Sequence, residues 1–336
     1  MFQKPIVGIL LGDSAGVGPE IVAKLAANGF LSQVCRPVII GDNRVFENAL
    51  NKLGLSAAHH CIESVASADW GKGVQVLDQK DQNPEEIQVG KINTGCGRAV
   101  NNMIELACEL CKSGDIEGYC FGPFNKAAMI EAGCSFESEH HLMAHLFEVT
   151  GPFGEINVLG DLMTTRTTSH IPIAAVSENL TVEKILRAIV LSYNTVLSSG
   201  VAKPKLGVAA LNPHAGESGR CGREEIDVIA PAIAKAKETG IDAEGPYPAD
   251  ILFIKAFGGE FDSVVTMYHD QGQIALKLKG FDQGITIAGG QPYPIVTCAH
   301  GTAYDIAGKG VASTSAFENA VKMAVKMADY AKKNTK

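Results

Sequence analysis

Three histidines stand in short segments that each follow an apolar run: His170 in TTSHIP, His214 in LNPHAGE and His269 in MYHDQG. Neutral imidazoles are good ligands for a divalent ion, and a set of three leaves a coordination position open for substrate. Asp250, in PYPAD, offers a carboxylate to complete or support such a site. The spacing carries no local metal signature of the HExxH kind, so the competing reading makes each residue a hydrogen-bonded loop histidine. Lys277, eight residues beyond His269, is a cation suited to gripping an acidic substrate or to proton transfer. Its alternative is a solvated place on a polar face.

Two glycine-rich segments add binding chemistry. The run Gly12-Asp13-Ser14-Ala15-Gly16-Val17-Gly18-Pro19-Glu20 follows the first apolar stretch. Its glycines allow a sharp turn, and Pro19 suits the first turn of a helix whose N-terminus would attract an anion. It is neither GxGxxG nor a Walker motif, and a plain strand-to-helix turn accounts for it equally. The second run, from His300, Gly301, Thr302 and Ala303 through Tyr304 and Asp305 to Gly310, lets a ligand approach the backbone. Asp305 could accept hydrogen bonds from a ribose hydroxyl.

These residues need a scaffold that brings distant loops together. Apolar runs bounded by turn residues alternate with helical patterns, which predicts an α/β fold with a mainly parallel sheet. Strands are expected at Ile6–Leu11, Pro37–Ile40, Val74–Leu77, Gly118–Phe121, Leu206–Leu211, Ser263–Met267 and Ile285–Ala288, with Thr167–Val176 as a further edge strand because of Pro172. Helices are expected at Pro19–Leu31, Arg98–Lys112, Val182–Ser198, Glu224–Glu238 and Ala316–Lys332. Thr181 reads as an N-cap, and Gly200 closes the helix that it opens. In open α/β sheets ligands bind beyond the carboxyl ends of strands, where such loops converge.

Composition narrows the function classes. The chain has 336 residues, 46% hydrophobic, with 36 glycines and a net charge of −8, so a sizeable core is available. No basic block exists to follow a phosphate backbone, which argues against nucleic acid as a partner. No stretch approaches the length of a membrane span, and no secretory leader develops, so a cytoplasmic protein is expected. Nine scattered cysteines fit reduced thiols better than a disulfide framework. Cys108 and Cys111 form a CxxC inside a helical pattern without a second pair, which reads as packing. His59 and His60 lie in a polar stretch and are expected at the surface. His145 stands at helical spacing from His141 and Glu148.

Taken in order, GDSAGVGPE, GPFNKAAM, TTSHIP, NPHAGE, PAD, MYHDQG with Lys277, and HGTAYDIAGKG resemble the 4-hydroxythreonine-4-phosphate dehydrogenase (PdxA) family. The opening and HGTA segments also look like those of isocitrate and isopropylmalate dehydrogenases. The resemblance implies a two-domain α/β fold of that kind with a deep interdomain cleft. We expect residues 1–130 plus 285–336 to form one domain, and 131–284 to form a second with the metal site and dimer interface. It further implies a homodimer whose active site borrows residues across the interface. His170, His214 and His269 would hold a divalent metal (Zn, Co, Mn or Mg) with Asp250 nearby. NAD or NADP would lie on the HGTA loop, with Gly12 and Asp13 contributing.

The departures bear on substrate. Where the family reads GHTE, this chain has Glu139-His140-His141-Leu142; Thr286 replaces the Asn of GVNIT, and Ile295 the Arg of GLPFIRTS. Isoleucine cannot supply arginine's forked contact to phosphate or carboxylate. His140, His141, Thr286 and Lys277 remain as candidate contacts to a small anionic substrate, and Lys277 and Asp250 as candidate catalytic groups. The expected reaction is oxidation of a hydroxyl β to a carboxylate, then decarboxylation of the β-keto acid. Threonate or erythronate 4-phosphate, or a dihydrodiol carboxylate, is the expected substrate. The alternatives are the 4-hydroxythreonine-4-phosphate step of vitamin B6 synthesis and a metal-dependent lyase that uses no nicotinamide.

Overall fold

The computed structural model of the chain describes residues 3–280 and 282–334. The strands in chain order are β1 (Ile6–Leu10), β2 (Arg36–Gly41), β3 (His59–Ile62), β4 (Val74–Asp78), β5 (Tyr119–Phe121) and β6 (Gly154–Leu159). They continue with β7 (Leu162–Arg166), β8 (Lys205–Ala209), β9 (Asp242–Tyr247), β10 (Ser263–Thr266), β11 (Ile285–Gly289) and β12 (Ile295–Cys298). The chain divides into two compact units, Met1–Val149 with Gln291–Lys336, and Thr150–Gly290. The helix Glu139–Leu146 packs on the helix Thr94–Ser113, which assigns it to the first unit instead of the second. Likewise β11 belongs with the second unit, because it pairs antiparallel with β6.

In the first unit the strand order is β3-β4-β2-β1-β5-β12. Neighbouring strands run parallel throughout. Parallel strands are covered on both faces, which is why β1 and β2 are apolar runs and not alternating ones. Val7, Ile9, Leu10, Ile39 and Ile40 are fully buried. The helix predicted over Pro19–Leu31 breaks at Gly29, whose φ of 77° separates Gly18–Ala27 from Phe30–Val34. The helix Thr94–Ser113 is capped by Asn93, whose side chain accepts from Cys96 N. Cys108 and Cys111 are buried within it. Gly97 meets the helix Lys126–Glu131 so closely that a Cβ there would stand 2.0 Å from the Ala128 carbonyl oxygen. His59 and His60, expected in a polar surface stretch, instead form edge strand β3; the His59 ring packs edge-on against Phe46 at 5.4 Å.

The second unit orders its strands β11-β6-β7-β10-β8-β9, antiparallel between β11, β6 and β7 and parallel from β7 onward. Its helix Val182–Ser198 begins at Thr181, whose hydroxyl accepts from Lys184 N, and Gly200 follows with φ 97°. Ile185, Ile189, Val208, Ile229 and Val265 fill the core between helices and sheet. The segment Thr167–Val176 is not a strand. The sheet ends at Arg166, and the chain turns through His170 at φ 51° into a short 3₁₀ turn at Ile173–Ala175. Pro172 lacks the N–H that a ladder needs, and a left-handed residue cannot continue a strand. Among the described residues no helix is long and apolar enough to cross a membrane.

Candidate active site

In the first unit the two glycine-rich loops pack on each other. Val17 N donates to Thr302 O at 3.0 Å, and a Cβ on Gly16 would come within 2.8 Å of that oxygen. Gly12 sits at φ +80°, where a Cβ would press to 2.6 Å on the Gly122 carbonyl carbon. Both glycines are therefore demanded by close backbone approach. Asp13 is fully buried, and its carboxylate is spent inside the protein: Ala15 N donates to Oδ1 at 2.9 Å and the Tyr304 hydroxyl to Oδ2 at 2.5 Å. Burial pushes the Asp13 carboxyl above its ordinary value, and the two donors pull it partly back. Asp13 thus ties the loops together. His300 is half-buried, with Nδ1 near its neighbour's carbonyl oxygen, while Gly301 and Asp305 are exposed.

Glu20, which closes the first glycine-rich run, has a role that its sequence context does not announce. Although only 5% exposed, its carboxylate accepts from Gly308 N at 3.1 Å, Gly310 N at 3.3 Å and Ala312 N at 3.1 Å. Lys24, one turn on, donates to the carbonyls of Gly310 and Ala312. One helix face therefore pins the far end of the HGTAYD loop. An acid next to a helix start was the only signal, and its partners lie almost the whole chain away. In the same unit, Ser138 caps the helix Glu139–Leu146, with His140 buried and His141 exposed beside the Ser138 hydroxyl. Glu139 lies between Lys126 Nζ at 3.7 Å and His140 Nδ1 at 3.6 Å. Ile295 is fully buried in β12 opposite Tyr119, so this position forms part of the core.

In the second unit His170 and His269 come together, their ring centroids 5.6 Å apart. Both line a cavity of about 270 Å³ with Thr168, Ser169, Tyr268 and Asp270. His269 is not in a loop; it opens the helix His269–Gly280. Its Nδ1 lies 2.6 Å from Asp270 Oδ1. His214 behaves similarly: Nδ1 is 2.8 Å from Glu217 Oε1, and this hydrogen bond and charge hold its imidazole above the usual histidine range. Carboxylates on Nδ1 leave Nε2 as the ligand atom, the usual arrangement behind metal-bound imidazole.

His214 sits in an unusual backbone. Residues 214–218 all take left-handed dihedrals, four of them without being glycine. Each such residue costs about 1–2 kcal/mol, so the turn needs outside support. Glu225, 3% exposed, supplies it by accepting from Leu211 N, Asn212 N and the Asn212 side chain at 2.7–3.0 Å. The three imidazoles do not meet in one chain. His214 is 74% exposed and is not part of the His170–His269 cavity, and no group of three or more His, Cys, Asp or Glu among the described residues could hold a metal. Asp250 is exposed in the first turn of Ala249–Phe257 and adds to the field that raises His214. Lys277 is exposed on the His269 helix, about 12 Å along its axis from His269. Thr286, 8% exposed, accepts from Asn157 Nδ2 at 3.1 Å.

The family model for "Pyridoxal phosphate biosynthetic protein PdxA" matches residues 33–324. A Pseudomonas aeruginosa protein named "Putative 4-hydroxythreonine-4-phosphate dehydrogenase 2" is 42% identical over 96% of this chain and 97% of its own length. An Oceanobacillus iheyensis protein named "Putative D-threonate 4-phosphate dehydrogenase" is 36% identical, covering 98% of this chain and 99% of itself. The crystal structure of 4-hydroxythreonine-4-phosphate dehydrogenase from Klebsiella pneumoniae superposes with a TM-score of 0.88 at 31% identity, covering 97% of this chain and 98% of that one. With a family model matched along most of its length and relatives named dehydrogenases matched end to end, the chain belongs to the PdxA family and is an oxidoreductase.

Proposed function

We propose that this chain is a metal-dependent NAD(P) dehydrogenase that oxidises the hydroxyl β to the carboxylate of a 4-phosphorylated four-carbon sugar acid, threonate or erythronate 4-phosphate, with decarboxylation of the β-keto acid. The observation that carries the reading is the His170–His269 pair, facing each other at 5.6 Å over one cavity within a chain whose relatives are named for 4-phosphorylated substrates. The donor chemistry fits a divalent ion, because carboxylates beside Nδ1 of His269 and His214 leave Nε2 for it. His170, His214 and His269 would hold the ion, with Asp250 nearby. When bound, it would supply Lewis acidity at the substrate hydroxyl and at the carbonyl that replaces it.

The remaining work falls to the protein's own groups. Lys277 offers a cation for the substrate's acidic end and a proton at Nζ. Thr286 offers a hydroxyl, His140 a buried imidazole and His141 an exposed one. The loop from His300 to Asp305 would seat the nicotinamide cofactor, with Asp305 accepting from ribose hydroxyls, while Asp13 and Glu20 keep that loop in shape. A homodimer is part of the proposal, because one chain joins only two of the three imidazoles. The second unit also exposes Ile173 at 70%, Ile254 at 70%, Ile274 at 59% and Leu278 at 84%, apolar surface that a second copy would cover. Purified protein supplied with metal and either nicotinamide should reduce the cofactor and release CO2 with D-threonate or D-erythronate 4-phosphate. No reduction with either acid, or preferential turnover of 4-phosphohydroxythreonine, overturns the substrate assignment.

A further inference from the structure

We propose that Arg166, which lies one side chain removed from Thr286, acts through Asn157 to make the Thr286 hydroxyl a donor for an anionic oxygen of the substrate. The inference rests on the reading of Thr286 as a substrate contact. Arg166 is the last residue of β7, and its side chain is only 8% exposed. Nη2 donates to Glu155, Nη1 to Asn157 Oδ1 at 2.8 Å, and Nε to Ser169 Oγ at 2.9 Å. A guanidinium has no acceptor, so the Asn157 atom facing it must be the carbonyl oxygen. Gln273 Nε2 donates to the same oxygen at 2.6 Å and fixes the amide a second time.

With the oxygen held there, the Asn157 NH₂ points the other way and donates to Thr286 Oγ1 at 3.1 Å. The two residues face each other across the β6–β11 ladder, and both are buried. A hydroxyl has one proton, and because the Thr286 oxygen accepts from Asn157, that proton is directed away from the pair. The chain of donors therefore starts at a fixed guanidinium and ends in an O–H directed away from Asn157, and each bond strengthens the next. Such a donor favours a charged acceptor over a neutral one. Arg166, itself paired with Glu155, orients the Asn157 amide from behind. The same side chain braces Ser169, next to His170, and Asn157 tethers Gln273 on the helix that His269 opens. Arg166 is thus a positioning residue for both histidine segments.

The test is a double-mutant cycle on the full-length protein, read as binding of inorganic phosphate by calorimetry in the absence of nicotinamide. Thr286→Val and Arg166→Met should each weaken phosphate binding about tenfold, the loss expected for one hydrogen bond to a charged group. The double variant should be no weaker than Thr286→Val alone to within about twofold, because both changes break one chain. Arg166→Lys should fall between Arg166→Met and the unaltered protein, since it keeps the charge and loses the fork. Turnover of D-threonate 4-phosphate, measured separately, should show KM rising with kcat nearly constant in Thr286→Val, whereas Arg166→Met should also lower kcat because it loosens both histidine segments. Independent, multiplying losses, unchanged binding in Thr286→Val, or no phosphate binding by the unaltered protein would each overturn the proposal. Intact coupling with no turnover would instead count against the activity proposed above. If Arg166→Met does not fold, Asn157→Leu interrupts the same chain and enters the cycle in its place.

Discussion

Replacing Glu20 by alanine offers the sharpest test of how the glycine-rich loops are held. Its carboxylate accepts three backbone N–H bonds, from Gly308 at 3.1 Å, Gly310 at 3.3 Å and Ala312 at 3.1 Å. A hydrogen bond to a charged group contributes about 1.5–3 kcal/mol, so the nominal loss for three is roughly 4.5–9 kcal/mol. The three are not independent, and Gly308 lies at the surface, where water can replace the carboxylate. We therefore expect about 3 kcal/mol of destabilisation. By the usual entropy of unfolding per residue, that lowers Tm by roughly 4–7 °C, depending on whether the first unit melts alone. Glu20→Gln keeps an acceptor and should lose about 1 kcal/mol. Urea melts measure the stability, and the KM for NAD or NADP measures the loop, which should bind cofactor at least several-fold more weakly in Glu20→Ala. If Glu20→Ala leaves stability within 0.5 kcal/mol of the parent (on the order of an ordinary surface change) and cofactor KM unaltered, then the clamp reasoning is wrong.

Glu225→Ala should cost about 2–3 kcal/mol and weaken binding of the proposed metal, because Leu211 N and Asn212 N lose their acceptor at the base of the left-handed turn; chelator competition and a melt read both effects. Gly97→Ala would place a methyl 2.0 Å from the Ala128 carbonyl oxygen and force the helices Thr94–Ser113 and Lys126–Glu131 apart, with an expected loss of about 1–3 kcal/mol by denaturant titration. Asp42 is fully buried; burial raises its carboxyl, but hydrogen bonds from Arg44 and from the Gln82 amide outweigh that and hold it below the ordinary range. Its contribution to stability is then present above the unfolded carboxyl range and lost as pH falls through the lowered value. The stability difference between the parent and Asp42→Asn should be full at neutral pH and shrink below roughly pH 4; a gap that widens on acidification would contradict the assignment. Replacing Glu217 by Gln should lower the titration midpoint of His214 in an NMR experiment, since this acid is the main cause of the upward shift.

What the sequence made legible follows from how each element is buried. β1, β2, β4, β5, β8, β10 and β11 are nearly continuous apolar runs, so their composition announced them. β6 and β7 escaped notice because Glu155, Asn157 and Arg166 interrupt the apolar pattern with a polar network that makes sense only across strands. HHC carries no strand signal for the part-buried edge strand β3, and Pro246 disguises β9. The order of motifs identified the family and singled out His170 and His269, which the fold brings together. The sequence could not show that His214 lies outside the cavity the other two line, nor that it stands in five consecutive left-handed residues. Glu20 and Glu225 looked like ordinary helix acids, since nothing local distinguishes a solvated carboxylate from one that collects distant backbone amides. Asp13 is the converse case, an acid in a ligand-like loop whose oxygens hold Ala15 and Tyr304, partners that no local pattern announces.

The first unit is assembled from both ends of the chain, and this has a consequence for synthesis. β5 receives its outer neighbour, β12, and its covering helix, Ser315–Asn334, only after residues 150–290 have been made. A nascent chain leaving the ribosome therefore holds an open, apolar parallel strand edge while the second unit, contiguous in sequence, is already free to close. Chains that stall before residue 295 would carry that edge permanently, and chaperones and proteases would meet them as sticky half-built sheets.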